Sequence, residues 1–286
     1  MKQIKLSAFI STLIAGLLLV NCGSSRQVPQ QISFFYNLQD ARQVATAKNQ
    51  PLILELYRPD CPWCKMLDDS TFSNPMVIEM SEKMTFAKIN AERDSAVADL
   101  YGVSYYPTIV VARANGTEID RLVGYYPPAD FFNEVQLYLQ GNETLADYLE
   151  RLVDEPERVD YNLIVADRYR NRSDWDKALQ YYTNVLKFSD PDSTAEAEKA
   201  LFEIGGVQME KGKFAIAAKA YSDFIARYPE SSLAEDAVRR IPYCLAKNGE
   251  YKKALEQFQL YLNEHPRGKY SSWVSERIDS LSELMP

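Results

Sequence analysis

Apolar and polar positions along this 286-residue chain change rhythm several times. Lys2 and Lys5 precede an apolar run of 15 residues, Leu6 to Val20. A membrane-spanning helix needs about 20 apolar residues, so the run predicts a removable secretory leader over residues 1–21. Residues 22–32 show no apolar periodicity and read as a tether. From 33 to 141 helical and extended patterns alternate. Phe34 to Lys48 is spaced as a helix and stopped by Asn49-Gln50-Pro51. Leu52 to Tyr57 is an apolar run of strand length, and Cys61-Pro62-Trp63-Cys64 then opens a helix. Thr85 to Asn90 and Thr108 to Ala112 are predicted strands. Asn115-Gly116 turns the chain into another strand over Glu118 to Gly124, and Pro128 to Gln140 closes with a helix. This alternation predicts an α/β domain.

Beyond it the extended patterns vanish. Thr144 to Val153 forms an amphipathic helix within a linker, residues 142–157. From Arg158 a helical pattern repeats: Trp175, Ala178, Leu179, Tyr182, Val185 and Leu186 recur as Phe214, Ala217, Ala218, Tyr221, Phe224 and Ile225. They recur again as Tyr251, Ala254, Leu255, Phe258, Tyr261 and Leu262, at shifts of 39 and then 37 residues. Each set ends in a proline turn, at Pro191, Pro229 and Pro266. This resembles tetratricopeptide repeats, with a longer period, as in repeat lipoproteins of outer-membrane assembly. The resemblance implies an all-α solenoid over 158–286, offering a concave surface to another protein and ending in a capping helix, Ser271 to Leu284. Pro242 falls inside the first helix of the third repeat, where a kink or a shortened helix is expected.

Composition narrows the chemistry. A single histidine, His265, removes most histidine-dependent chemistry and excludes multi-histidine metal sites. The formal charge of -8 becomes -10 once residues 1–21 and their two lysines are removed. With no long basic run, nucleic-acid binding is not expected. The remaining chemistry lies in four cysteines: Cys22, Cys61, Cys64 and Cys244. Cys244, odd in number and helical in setting, reads as a small buried residue.

The pair Cys61 and Cys64 is open to three readings: half of a zinc site, a structural disulfide, or a redox couple. Zinc takes four ligands, and the other candidates, Cys244 and His265, lie in a different architecture. A structural bridge gains little from so short a loop. A redox pair is favoured because unpaired N–H groups and the helix dipole at a helix start stabilise a thiolate.

The motif also resembles the dithiol of the thioredoxin family, over about 110 residues. Pro107, 46 residues after Cys61, falls where that family keeps a cis-proline facing the dithiol. Glu55, six residues before Cys61, occupies its buried-acid position; Lys88 matches the lysine that partners the acid, and Gly124 the glycine closing the last strand. Cys-x-x-Cys-Lys with Thr71-Phe72-Ser73 downstream resembles secreted reductases of the disulfide-interchange type, with Met66 one place early. The resemblance implies that Cys61 attacks a substrate disulfide, Cys64 resolves the mixed disulfide, and Glu55 takes the Cys64 proton, moderated by Lys88. Pro107 and the Tyr106 backbone would pair with substrate; Trp63, with Tyr105, Tyr106, Tyr125 and Tyr126, would ring the thiols. No bound cofactor and no metal are implied.

Leu19-Val20-Asn21-Cys22 resembles the lipobox of bacterial lipoproteins, with Asn21 in place of the usual small residue. That implies lipidation of Cys22, and Gly23 after it matches outer-membrane sorting. The expected organisation is a lipoprotein signal peptide (1–21), a tether (22–32), a thioredoxin-like domain (33–141), a linker helix (142–157) and tetratricopeptide-like repeats (158–286). The expected function is a membrane-anchored protein-disulfide reductase of the bacterial envelope, at the outer membrane facing the periplasm. Its expected partners are a protein disulfide or thiol, a membrane thiol reductase as electron donor, and a protein held by the repeats. The alternative is a non-enzymatic adaptor or chaperone using the repeats, with the thioredoxin domain as a docking module.

Overall fold

A computed structural model describes residues 30–189 and 195–283. The leader, Cys22, most of the tether, Asp190 and Pro191 of the first repeat-ending turn, and Leu284 lie outside the described residues. Among the described residues no helix is long and apolar enough to cross a membrane.

The α/β domain is built on one five-stranded sheet: β1 (Phe34–Phe35), β2 (Leu52–Tyr57), β3 (Thr85–Asn90), β4 (Thr108–Ala112) and β5 (Glu118–Val123), in the order β1-β3-β2-β4-β5. Strands β1, β3 and β2 are parallel; β4 is antiparallel to β2, and β5 to β4. Side chains of β2 alternate between faces. Leu52, Leu54 and Leu56 pack with Ala41 and Ala45 of α1 (Leu38–Lys48), whereas Ile53 packs on the opposite side with Phe86, Ile109 and Phe131. Glu55 shares the parity of Ile53 and is paired in register with Lys88 of β3.

Phe34 and Phe35 correct the sequence expectation of a helix beginning at Phe34. They form a short edge strand, with Phe34 opposite Phe86, and the helix starts only at Leu38. Asn37 decides the boundary: its side chain accepts from the N–H groups of Gln39 (2.8 Å) and Asp40 (3.1 Å). Apolar spacing alone does not reveal this, because two adjacent phenylalanines fit either period.

Helix α2 (Pro62–Met66) continues directly into a π-helical turn, Leu67–Thr71. Short helices α3 (Pro75–Met80) and α4 (Ser95–Leu100) follow, and α5 (Pro128–Leu139) covers the sheet. Helix α6 (Leu145–Asp154) then leads into α7 (Val159–Arg170), α8 (Trp175–Phe188), α9 (Ala195–Glu210), α10 (Phe214–Arg227), α11 (Ala234–Lys247), α12 (Tyr251–Glu264) and α13 (Ser271–Ser282). The recurring positions fall on α8, α10 and α12, where Ala178, Ala217 and Ala254, Tyr182, Tyr221 and Phe258, and Val185, Phe224 and Tyr261 are all buried. The small residue lets the paired helix approach, and the aromatic four residues on fills the space between helices.

Pro242 does not shorten its helix. Helix α11 runs through it for 14 residues, the same length as α8, α10 and α12. A proline removes one hydrogen bond, but Ala237, Pro242 and Cys244 are all buried, and Ala237 and Cys244 pack with Tyr221 and Phe224 of α10, holding the turns on either side. Cys244 is a core residue there, and burial pushes its thiol up to about 12.

The sheet and the first repeat helices are clamped together by charge. Asp120 of β5 is fully buried and accepts from Arg168 (2.6 Å), Arg172 (2.5 Å), the Leu145 N–H (2.7 Å) and the Arg121 N–H (2.8 Å). Arg121 donates onward to the carbonyls of Asn171 (3.1 Å) and Tyr101 (2.6 Å). Gly102, at φ 57°, lets the chain pass the Arg172 carbonyl, which a Cβ would meet at 2.9 Å.

Candidate active site

Local sequence builds the dithiol. Pro62 occupies the first turn of α2, where its missing N–H costs nothing. Cys61 is the N-cap, and its Sγ accepts from the Cys64 N–H at 3.1 Å. Cys61 and Cys64 are joined as a disulfide with Cα atoms 5.3 Å apart. Cys61 is half-buried, whereas Cys64 is only 2% exposed.

The loop before β4 closes over this pair. The Tyr106–Pro107 peptide bond is cis, and the Tyr106 carbonyl oxygen lies 3.6 Å from Cys61 Sγ. The Pro107 carbonyl accepts from the Gly124 N–H at 2.8 Å. Gly124 has φ 91°, a conformation that favours glycine. Trp63, 56% exposed, stacks on Tyr125 at 6.3 Å between ring centroids. Tyr125 in turn is 3.0 Å from the Ser70 hydroxyl, and Thr71 donates to the Tyr126 carbonyl at 2.6 Å. Tyr105 points elsewhere. Its ring lies under Arg170 of α7 at 5.4 Å, and its hydroxyl reaches Glu210 of α9 at 3.5 Å. A cleft of about 390 Å³ therefore opens between Tyr106 and Gly124 on one side and Arg170, Lys199 and Glu203 on the other.

An ionic cluster joins β2, β3 and the π-helical turn. Glu55 is buried, and Lys88 Nζ stands 3.1 Å from its Oε2. The aligned hydrogen bond of Lys88 goes instead to Asp68 in the π-helical turn. Neither carboxylate oxygen of Glu55 has a hydrogen-bond partner among the described residues. The rings of Tyr57 (4.8 Å) and Phe34 (5.9 Å) flank the ammonium group. Burial pushes Glu55 from the usual 4.5 up to about 7, Lys88 opposes the rise, and Asp68 adds to it. Lys88 is itself raised above its usual value: burial lowers it, and Glu55 and Asp68 together more than offset that. Asp68 is the member of this cluster that sequence reasoning missed. Its signal was present, because it follows Cys64 by four residues and so returns to the same side of the helix.

Glu55 makes stability depend on pH. The folded state binds this proton more tightly than the unfolded chain, so stability falls as pH rises from 4.5 through about 7. Between pH 5 and pH 8 the loss amounts to about 2–3 kcal/mol. Urea unfolding at the two pH values should show this loss in the natural chain and its absence in Glu55→Gln; equal slopes in both would refute it.

A family profile described as a thioredoxin-like domain matches residues 38–138. This region is a thioredoxin-like domain. A second profile, described as an outer membrane lipoprotein, matches residues 194–275. Over 92 residues the chain is 27% identical to a chloroplastic M-type thioredoxin of Brassica napus, covering 32% of this chain and 50% of that protein. The chain thus spans half the length of that relative. A thioredoxin of Pyropia yezoensis is 24% identical over 102 residues, covering 34% of this chain and 89% of its own. Among solved structures, a DsbH oxidoreductase superposes with a TM-score of 0.35 at 15% identity, over 40% of this chain and 88% of that one. A Thermus thermophilus thioredoxin gives a TM-score of 0.35 at 24% identity, over 38% of this chain and 88% of its own. Helices α7 to α13 follow the thioredoxin-like domain as an all-α repeat region.

Proposed function

We propose that the chain is a thiol-disulfide oxidoreductase acting as a protein-disulfide reductase. The observation that carries this reading is the Cys61–Cys64 pair at a helix start, with the Tyr106 carbonyl beside Cys61; a buried Glu55 in β2 supports it. In the reduced enzyme, the Cys61 thiolate attacks one sulfur of a substrate disulfide. A Cys61–substrate disulfide forms, and the other substrate sulfur leaves as a thiolate that takes up a proton. Cys64 then gives its proton to Glu55, through water, and its sulfur attacks Cys61. The second substrate thiol is released and the Cys61–Cys64 disulfide remains. Two electrons pass from the enzyme dithiol to the substrate, and a membrane thiol reductase restores the dithiol. Tyr106 and Pro107 offer backbone to an extended substrate chain, and Trp63 an apolar face beside the thiols.

In this reading a thioredoxin-like domain over 33–141 carries the chemistry, 142–157 links it to the repeats, and the repeats over 158–286 recruit a protein partner. The lipobox-like Leu19-Val20-Asn21-Cys22 and the outer membrane lipoprotein match support lipid anchoring at Cys22 in the bacterial envelope, facing the periplasm. To test the activity, the purified chain is reduced and mixed with a protein disulfide such as insulin. Thiol release by the natural chain, and a trapped mixed disulfide with Cys64→Ala, are expected; the absence of both would sink the proposal.

The lipoprotein match over α9 to α13 also favours a second reading, an adaptor or chaperone in which the dithiol is dispensable. A strain carrying Cys61→Ala with Cys64→Ala separates the two. Full function in that strain selects the adaptor, and loss of function selects the reductase.

A further inference from the structure

Lys88 has one ammonium group and two carboxylates competing for it. It lies at ion-pair distance from Glu55, 3.1 Å, yet its aligned hydrogen bond goes to Asp68. The two acids differ in setting: the Glu55 side chain is 1% exposed and that of Asp68 is 42% exposed. We propose that Asp68 is a positioning residue that draws Lys88 away from Glu55 and thereby sets how tightly Glu55 holds its proton. The inference deepens the proposed oxidoreductase reading, in which that proton comes from Cys64.

The physical argument is one of competition. A carboxylate that receives hydrogen bonds from a cation is stabilised in its charged form. Lys88 stands 3.1 Å from Glu55 but also holds Asp68, so its charge is shared between two carboxylates and only part of that stabilisation reaches Glu55. Asp68 also contributes a second negative charge, which repels the ionised form of Glu55 directly. Both effects favour protonation. The other elements packed around Glu55 add no opposing charge: β4 places Ile109 opposite it in register, and α5 contributes Phe131 to the same core. The direction found for Glu55, with burial first, Lys88 opposing and Asp68 adding, accords with this balance.

Removing the Asp68 charge therefore has a predictable sign. In Asp68→Asn the ammonium turns fully to Glu55 and the repulsion ends, so Glu55 ionises at lower pH by about one unit. The measurement uses the oxidised full chain, in which Cys61 and Cys64 do not titrate. Infrared difference spectra against Glu55→Gln isolate the protonated Glu55 carboxyl band as pH is varied. The band is expected to titrate near neutral pH in the natural chain and about one unit lower in Asp68→Asn. Asp68→Glu should return the midpoint toward the natural value; Asp68→Ser repeats the charge removal should Asp68→Asn fold poorly. A midpoint unmoved in the charge-removed variants overturns the inference, as does a natural chain whose Glu55 band does not titrate near neutrality. Because the readout needs no turnover, a moving midpoint in a chain inactive toward disulfides would overturn the oxidoreductase reading alone.

Discussion

Replacing Cys61 with serine is expected to reduce disulfide exchange to the uncatalysed background, a loss of several orders of magnitude. The reason is access combined with chemistry. Cys61 sits half-exposed at the N-cap of α2, beside the Tyr106 carbonyl, while Cys64 is 2% exposed behind it. A substrate sulfur can therefore reach only Cys61. A serine hydroxyl in its place cannot form a disulfide, and at neutral pH it is not ionised as a thiolate is. Cys244 offers no substitute, being fully buried with its thiol pushed up to about 12. The check is the rate of insulin reduction by the Cys61→Ser chain against a no-enzyme control. A variant retaining a tenth of the natural rate would mean that the attacking group has been misassigned.

Asp120→Ala is expected to destabilise the chain by about 3–5 kcal/mol. Asp120 is fully buried, and it faces two guanidinium groups, from Arg168 and Arg172, that are themselves mostly covered. Deleting the carboxylate leaves Arg168 without its anion and Arg172 with Glu118 alone, and it also leaves the Leu145 and Arg121 N–H groups without an acceptor. The cost arises chiefly from uncompensated buried charge rather than from lost attraction. Asp120→Asn keeps an acceptor in place and should cost less. Urea unfolding is the measurement, and the two domains are expected to separate into distinct transitions in the alanine variant. An unchanged midpoint would show that the charge clamp does not hold the sheet to the repeats.

Much of the fold was legible beforehand because its signals are local. Strands β2, β3 and β4 coincide with the segments read as strands from the sequence, Leu52 to Tyr57, Thr85 to Asn90 and Thr108 to Ala112. The repeat helices α8, α10 and α12 announce themselves by an alanine and an aromatic four residues apart. Cys61 and Cys64 at a helix start, and the pairing of Glu55 with Lys88, follow from spacing together with family resemblance. The misses are places where a local pattern fits two structures. Phe34-Phe35 suits a helix or an edge strand, and only its pairing with Phe86 chooses. Pro242 lowers helix propensity, but burial on both sides of it carries the helix through.

By itself, then, the sequence determined four of the five strands and the recurring helices of the repeats, where the thiols sit, and that a repeat array follows. Periodicity and turn chemistry act over a few residues and survive being read in one dimension. Tertiary structure alone decided that Asp68 takes the hydrogen bond of Lys88, that Tyr105 turns to α7 and α9, and that Asp120 joins β5 to Arg168 and Arg172. In each case one charged or polar group must choose between partners far apart in the chain. That choice depends on burial and on which donor lies within reach, and neither is written in local spacing.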